Sequence, residues 1–373
     1  MGFPRSFRAY FHSMKQQDNN NVPSVCFFGI YDPSYSRNRV LVRGFEENGY
    51  KVFHCRVDPK KHKGILKFFL LVREYLSVRK NKIDVVIVAF PGHTVVWLAR
   101  ILFDSHIIFD AFVSLYNSNV EDRKRYRAFS LHSLRDQFLD WYSMKIASII
   151  FFDTNAQIGY VAKKFNISVQ KFRRVFVGTD DTVFYPREQK DNHGHFIVHF
   201  HGTFIPLHGI EYIIDAAKLL EDDPDIIFEI IGDGQERKGI EEKISAVGGG
   251  KNIRLFPRMS YEELATSIVR ADICLGIFGA TSKAAIVIPN KVFEALASQR
   301  ALITMKSEAI NELALDGQNM LLCNPGDPRD IANKILLLKQ DMVLRNKIAL
   351  HGYQLFTKKL TPSILVKHLI STL

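Results

Sequence analysis

The chain has 373 residues, of which 47% are hydrophobic and 24% charged. This length favours two domains, and the composition is that of a globular protein with a sizeable core rather than a disordered chain. No window of about 18 uncharged apolar residues occurs, so the sequence predicts no membrane-spanning helix. Residues 1–21 lack a continuous apolar stretch and match a signal peptide poorly.

The net charge of +11 is unevenly distributed along the chain. Residues 1–190 carry 30 Lys and Arg against 17 Asp and Glu, whereas residues 191–373 carry 20 against 22. The first half is therefore expected to face an anionic partner, such as a membrane surface, unless it is simply a solvated basic face. The four cysteines are widely spaced, which argues against a zinc or disulfide framework and favours a cytoplasmic protein.

The first half alternates short apolar runs with helix-like stretches, the first of them at Arg37–Asn48. Predicted strands in this half are Val25–Ile30, Lys51–Arg56, Asp84–Ala89, His106–Phe109 and Ser148–Phe152. Such alternation is typical of parallel βαβ units with helices on both faces of the sheet.

The same alternation restarts after a polar stretch at Tyr185–Gly194 that has the composition of a linker. Predicted strands in this second series are Phe196–His201, Ile226–Ile231, Ile253–Phe256, Ile273–Gly276 and Ala301–Thr304. Predicted helices are Glu211–Leu220, Tyr261–Val269, Asn290–Ala297 and Pro328–Leu338.

The sequence therefore predicts an α/β protein of two tandem Rossmann-like, doubly wound domains with a ligand cleft between them. We place the first domain at residues 1–187 and the second at residues 188–355. Residues 356–373 are expected to form a C-terminal helix that crosses back to the first domain.

A pattern of Gly178, Asp180, Phe184 and Pro186 ends the first domain. It resembles the exit signature of the group 1, or family 4, retaining glycosyltransferases, which have the GT-B fold. The resemblance implies a nucleotide-sugar donor bound by the second domain, a UDP-sugar being the commonest in the family. It also implies transfer without a metal cofactor, in which the protein supplies mainly positioning and electrostatics.

The turn after the strand Phe196–His201 contains Gly202, Thr203 and His208. A turn that opens a helix presents backbone N–H groups to an anion. In the resembling family, an Arg and a Lys in this turn grip the donor diphosphate, and here Thr203 and His208 stand in their places. The sequence therefore lacks two fixed charges, although His208 is expected to be cationic part of the time.

Two further segments resemble parts of the family that lie beside the nucleoside. Gly232 and Gly234 flank a tight turn, and Arg258 follows the strand Ile253–Phe256. Glycines allow the backbone to approach a flat ligand closely. These three residues complete the outer part of the expected donor site.

The loop and helix start from Gly276 to Ala297 carry the most informative pattern. The family has two glutamates eight positions apart here, and Glu294 matches the second, which binds the ribose. The first position is occupied by Ile286, which cannot do the work of a carboxylate. Lys283 and Lys291 are expected to supply the missing charge beside the diphosphate, the alternative being two solvent-facing lysines.

The first domain offers a separate set of candidates. Tyr31, Arg37 and Arg39 follow the first strand and are expected to meet a phosphate or an acceptor sugar. His93 and Asp110 also follow strands, and by resemblance we expect them, together with Lys291, to act near the transferred sugar. The alternative for His93 and Asp110 is an ordinary capped loop.

Two stretches of the first domain, Lys60–Lys82 and Arg123–Lys145, are basic and apolar together. Basic amphipathic helices bind anionic bilayers. We therefore expect a peripheral protein on the inner face of the plasma membrane, acting on a glycan or lipid-linked acceptor in polysaccharide or glycoconjugate synthesis. The alternative for Lys60–Lys82 is a crossover helix between strands.

Two other functions remain open at this point. A sugar-nucleotide epimerase shares the architecture, and a non-catalytic sugar-nucleotide-binding subunit would fit the departures at Thr203, His208 and Ile286. Nucleic acid is not an expected partner, because the sequence holds no aromatic–basic motif of an RNA-binding module.

Overall fold

The computed structural model describes residues 22–188, 194–248 and 250–373. Residues 1–21, which match a signal peptide poorly, lie outside the described residues. Residues 189–193 of the predicted linker also lie outside them.

The first half forms a parallel sheet of six strands in the order β2-β1-β3-β4-β5-β6. Its strands are β1 (Ser24–Ile30), β2 (Lys51–Val57), β3 (Val85–Val88), β4 (Ile107–Phe112), β5 (Ile149–Phe152) and β6 (Phe172–Arg174). Its connecting helices are α1 (Ser36–Glu47), α2 (Leu66–Val78), α3 (Val96–Leu102), α4 (Leu131–Ile146) and α5 (Asn155–Phe165). A π-helical turn, Asn117–Asp122, lies between β4 and α4.

Alternate side chains of each strand point to opposite faces of this sheet, and each face is covered by its own helices. Helices α2 to α5 contribute to the core on one face, where Phe28 and Phe109 are fully buried. Helix α1 packs on the other face against Phe27 and Phe151. The strands are buried on both faces, which explains their continuous apolar runs.

The second half forms another parallel six-stranded sheet, in the order β12-β11-β10-β7-β8-β9. Its strands are β7 (Phe196–Thr203), β8 (Ile226–Asp233), β9 (Ile253–Phe256), β10 (Ile273–Leu275), β11 (Ala301–Met305) and β12 (Leu321–Cys323). Its helices are α6 (Ile210–Leu219), α7 (Arg237–Ala246), α8 (Tyr261–Arg270), α9 (Ser282–Ile286), α10 (Asn290–Ala297), α11 (Pro328–Gln340) and α12 (Met342–Lys359). The final helix of the chain is α13 (Pro362–Thr372).

The predicted fold class, two tandem Rossmann-like doubly wound domains, is confirmed. The predicted elements differ from the observed ones mainly at their ends. Within the basic and apolar stretch Arg123–Lys145, α4 begins at Leu131, and Arg123 belongs to the preceding loop.

The order of the second sheet reverses between β7 and β10, since β8 and β9 follow on one side and β11 and β12 on the other. Ligands of doubly wound sheets bind in the crevice beyond the carboxyl ends of the strands at such a switch point. A ligand site is therefore expected at the ends of β7 and β10, beside the helices α9 and α10 that follow β10.

The exit signature holds the two halves together rather than facing a cleft. Gly178 has a φ of 64°, and a Cβ there would lie 2.7 Å from the Cδ1 of Leu365, so a side chain is excluded. Phe184 is fully buried and packs edge-on against Tyr261 of α8, with ring centroids 4.8 Å apart.

The last helix, α13, packs on α1 of the first half, where Asn48 Nδ2 donates to Ser363 O at 2.9 Å. The expected boundary between residues 355 and 356 falls inside α12, which continues to Lys359.

Candidate functional site

A cavity of about 330 Å³ opens at the switch point of the second sheet, where the two halves of the chain meet. The second half contributes the end of β7, the start of α10 and the segment between α9 and α10. The first half contributes side chains that follow β1, β4 and β5. The polar and aromatic side chains that line it are Tyr35, Phe112, Arg123, Asp153, His201, Thr203, His208, Lys283, Asn290, Lys291 and Glu294.

Lys291 is the most unusual group in this cavity. Its side chain is 4% exposed, and its Nζ has no hydrogen-bond acceptor among the described residues. The ammonium lies 3.9 Å from the ring centre of Phe200. Burial lowers the pKa of Lys291 well below its ordinary value, and the Glu294 carboxylate opposes this only in part. A buried, unpaired cation of this kind is costly unless an anion joins it.

Glu294 is held by a chain of two histidines that runs along β7. His201 Nε2 lies 2.7 Å from Glu294 Oε2, and His199 Nε2 lies 2.9 Å from His201 Nδ1. Because a carboxylate only accepts, the His201 Nε2–H donates to Glu294. Burial lowers the pKa of His199 well below its ordinary value, which agrees with a neutral ring. The carboxylate is thus fixed through Oε2.

Gly202 lets the backbone come close to these charged groups. Its φ is 155°, and a Cβ there would lie 2.8 Å from Lys291 Nζ and from His208 Cε1. His208 is buried, and burial followed by the Lys291 charge lowers its pKa well below the ordinary value. This lowered pKa disfavours the partly cationic His208 that the sequence led us to expect, and Lys291 is the neighbouring basic group at this turn.

Lys283 sits at the seam between the two halves. Its Nζ donates to Ser118 Oγ at 2.6 Å, and burial lowers its pKa to about 8 against the opposing charge of Asp122. Asp122 accepts from Thr281 Oγ1 at 3.2 Å, also across the seam. The π-helical turn of the first half is thus joined directly to α9 of the second.

The structure brings Gly202, Thr203, His208, Lys283, Lys291 and Glu294, six of the expected donor-site residues, to one cavity. The other three do not line it. Gly232 and Gly234 lie behind it, where a Cβ would clash with Gly202 O and with the backbone of Phe204. Arg258 is exposed beyond the end of β9.

The residues expected to meet substrate in the first domain lie elsewhere. Arg37 and Asp110 are both fully buried and form an ion pair with Nη2–Oδ1 at 2.8 Å. The Arg37 Nη1 also donates to Val175 O at 2.6 Å. The pair therefore ties α1, β4 and the chain after β6 together, and the expectation that either side chain touches a substrate does not fit this burial.

Tyr31, His93 and Arg39 also have structural partners. The Tyr31 hydroxyl is buried and lies 2.7 Å from His54 Nδ1. His93 Nε2 lies 3.3 Å from Asp140 Oδ1, away from the cavity lining. Arg39 stacks 4.6 Å from the ring centre of Tyr261 and bridges the two halves. None of the three lines the cavity.

Sequence reasoning missed several residues of the site, chiefly Asp153, Arg123 and His201. Asp153 directly follows β5, so its place at the carboxyl end of a strand was a signal that could have found it. The two histidines of β7, His199 and His201, are two positions apart and so lie on one side of the strand, which was a second signal.

Comparison with known proteins accounts for this arrangement. Residues 182–355, which hold β7, α10 and most of the cavity lining, match the family model of glycosyl transferases group 1. The second half is a group 1 glycosyl transferase domain. The family resemblance drawn from the sequence is therefore confirmed.

Curated relatives of this glycosyl transferase domain cover part of the chain. An uncharacterised glycosyltransferase of Methanocaldococcus jannaschii is 28% identical over 192 residues, which are 50% of this chain and 48% of that protein. A putative colanic acid biosynthesis glycosyl transferase of Escherichia coli is 33% identical over 118 residues, 31% of this chain and 28% of that protein. The chain thus spans less than half the length of both relatives.

Solved structures of similar fold cover nearly the whole chain. Sucrose-phosphate synthase from Thermosynechococcus elongatus gives a TM-score of 0.72 at 14% identity, over 93% of this chain and 97% of that one. Anabaena HepE, solved in complex with UDP, gives a TM-score of 0.69 at 14% identity, over 94% of this chain and 100% of that one. At this identity the likeness shows the fold.

Metal-binding clusters and membrane-spanning helices are both absent from residues 22–188, 194–248 and 250–373. No group of three or more His, Cys, Asp or Glu side chains in these ranges is arranged to hold a metal ion. None of the helices described has both the length and the apolar content needed to cross a bilayer.

Proposed function

We propose that this glycosyltransferase binds a nucleotide-sugar, most simply a UDP-sugar, in the cavity at the switch point, and places the donor diphosphate on Lys291. The buried ammonium of Lys291 carries the proposal, because a diphosphate would supply the hydrogen-bond acceptors that Nζ lacks among the described residues. Glu294, held by His201, would accept hydrogen bonds from the hydroxyls of the ribose. Lys283 would add charge towards the transferred sugar.

The proposed reaction is retaining transfer of a hexosyl group to a hydroxyl of a glycan or lipid-linked acceptor. Electrostatic stabilisation by Lys291 and Lys283 would offset the negative charge that grows on the departing nucleotide. The UDP and UDP-glucose bound by Anabaena HepE support a uridine nucleotide, since the two proteins share the fold. We place the donor domain at residues 188–355, and the acceptor side at residues 1–187 with residues 356–373 crossing back to it.

A thermal-shift panel of UDP-, GDP- and ADP-sugars tests the donor assignment. We expect UDP-sugars to stabilise the protein and the stabilisation to be lost in Glu294→Ala and Lys291→Met. Lys251→Met, at an exposed lysine of the same domain, is the matched control. If no nucleotide-sugar stabilises the wild-type protein, the donor assignment is wrong. Release of free nucleotide without any acceptor would favour the epimerase instead.

We further propose that the outer surface of α2, α3 and α4 rests on an anionic membrane, at the cytoplasmic face where the acceptor is presented. These helices cover one face of the first sheet, and large apolar side chains on and beside them are exposed to solvent. The exposed apolar side chains are Ile65, Leu66, Phe69, Leu76, Trp97, Ile101, Phe129, Leu131, Leu134, Phe138 and Trp141. Lys61, Lys63, Arg125, Arg127, Arg135 and Lys145 are exposed among them.

Two features of this surface favour a bilayer. Phe129 and Leu131 are 87% and 84% exposed at the start of α4, where water gives them no partner. Basic side chains beside them would each contribute about 1 kcal/mol near an anionic bilayer. The mixture of protruding apolar groups and cations is that of an interfacial helix.

Flotation with vesicles of phosphatidylcholine and phosphatidylserine tests the membrane surface. We expect wild-type protein to float at low salt and Phe129→Ser with Leu131→Ser to float much less. Val343→Ser, at a 77% exposed valine of α12, is the control. Wild-type protein that stays at the bottom of the gradient would contradict the membrane proposal and leave the donor proposal standing.

A further inference from the structure

The cavity is lined by a second carboxyl group besides Glu294, and this one comes from the first half of the chain. Asp153 follows β5 of the first half, is 2% exposed and lines the cavity together with Lys283 and Arg123. It forms no ion pair among the described residues. Burial raises its pKa to about 7, although the charges of Arg37 and then Lys283 oppose this. A buried carboxyl group of this kind needs hydrogen-bond donors.

The segments around Asp153 are fastened to the donor domain. Thr154 Oγ1 donates to Ile286 O at 2.5 Å, and Ile288 N–H donates to Asp153 Oδ2 at 3.4 Å. The side-chain amide of Gln157 lies against Asp153 Oδ1 and Phe112 O. The carboxyl group is thus held at a fixed place between the halves, in the lining of the cavity.

The charges in the cavity limit what Asp153 can meet there. A diphosphate is drawn to Lys291 and Lys283 and repelled by a carboxylate, so Asp153 must face an uncharged part of a ligand. A carboxyl group has several acceptor sites, and hydroxyl groups are uncharged donors that suit them. A nucleotide-sugar carries hydroxyls at both ends, with the diphosphate between them. With the diphosphate on the lysines and one end of the ligand on Glu294, Asp153 is left for the hydroxyls of the other end.

We propose that Asp153 determines the choice of the transferred sugar by accepting hydrogen bonds from its hydroxyls. This inference rests on the proposed function, because it presumes that a nucleotide-sugar occupies the cavity. Removal of a hydroxyl that a buried acceptor needs costs far more than removal of an apolar group, which makes such a residue a strong determinant of specificity.

Asp153→Asn tests the assignment, with UDP and a set of UDP-glucose, UDP-galactose and UDP-N-acetylglucosamine as probes in calorimetric titrations. The variant keeps the shape and one acceptor of the side chain. We expect its affinity for UDP to stay within about threefold of wild type, while the preference among the three sugars collapses by about tenfold. Asp84→Asn, a buried carboxyl group held by Ser24 at the far end of the sheet, is the control.

Deoxy analogues of the preferred UDP-sugar give a reading that does not depend on a variant. At least one deoxy position should weaken binding to wild type by about tenfold, and that penalty should disappear in Asp153→Asn. An unchanged sugar preference in Asp153→Asn, or the lack of any deoxy penalty in wild type, overturns the assignment. If wild type binds neither UDP nor any UDP-sugar, the proposed function fails first, and the two failures are thereby distinguished.

Discussion

Replacing Lys291 with methionine is expected to weaken nucleotide binding and to stabilise the fold at the same time. Methionine has a similar length and keeps the contact with Phe200, but it removes an ammonium that is 4% exposed and has no acceptor among the described residues. Replacement of buried charge by an apolar group of similar volume stabilises proteins by up to about 4 kcal/mol. The lost cation–π attraction between the ammonium and the Phe200 ring offsets about 2 kcal/mol of this gain. A net stabilisation of about 1–2 kcal/mol follows.

The same change should weaken UDP binding about 150-fold. The loss of one partner from a buried charge pair costs about 3 kcal/mol, and each 1.4 kcal/mol is about tenfold in affinity. Isothermal titration with UDP measures this loss, and urea unfolding of the free protein measures the stability. Lys251→Met, at an exposed lysine, should change neither quantity.

Proton uptake gives a second measure of the same interaction. The pKa of Lys291 is well below its ordinary 10.5 in the free protein, and a bound diphosphate would raise it again. The complex therefore holds more protons than the free protein, so UDP affinity should fall as the pH rises through the window between these two pKa values. Within this window, titrations in buffers of different ionisation enthalpy should show more proton uptake in wild type than in Lys291→Met. A variant that binds UDP within about threefold of wild type, or that is clearly destabilised, would refute the reasoning.

Three further outcomes follow from the contacts of the site. His201→Ala should lower UDP affinity about tenfold or more, because the charged Glu294 carboxylate loses a hydrogen bond. The effects of His201→Ala and Glu294→Gln on UDP affinity, measured by titration, should not add. Arg37→Met should destabilise the protein by about 3–5 kcal/mol in urea unfolding by leaving Asp110 buried and unpaired, and Asp110→Asn should restore part of this loss; additive losses would contradict the pairing. Asp153 binds a proton more tightly in the folded state, with a pKa of about 7 against an ordinary 3.8, so its ionisation should lower the stability of the protein as the pH rises from about 4 to about 7. Melting temperatures of Asp153→Asn between pH 5 and 7.5 should fall less than those of wild type. An unchanged pH dependence in the variant would contradict this role of Asp153.

The sequence by itself determined the order of strands and helices and hence the fold class. Continuous apolar runs such as Val85–Val88 are long enough for strands buried on both faces, and helix starts such as Pro289 follow local rules. Parallel strands bring their carboxyl ends to one edge, which is why Gly202 and Glu294 could be assigned to one site although they are far apart in the chain.

Only the tertiary structure decided which charged side chains are free to meet a ligand. Arg37 and Asp110 looked as available as Lys291, yet 73 positions separate the two partners of that ion pair. Asp153 comes to the donor side only because Thr154 meets Ile286, 132 positions away. Burial and pairing depend on how the two sheets dock, and that docking is set by long-range packing that no local sequence pattern records. The cavity is built from both halves, so its chemistry exists only once they are joined.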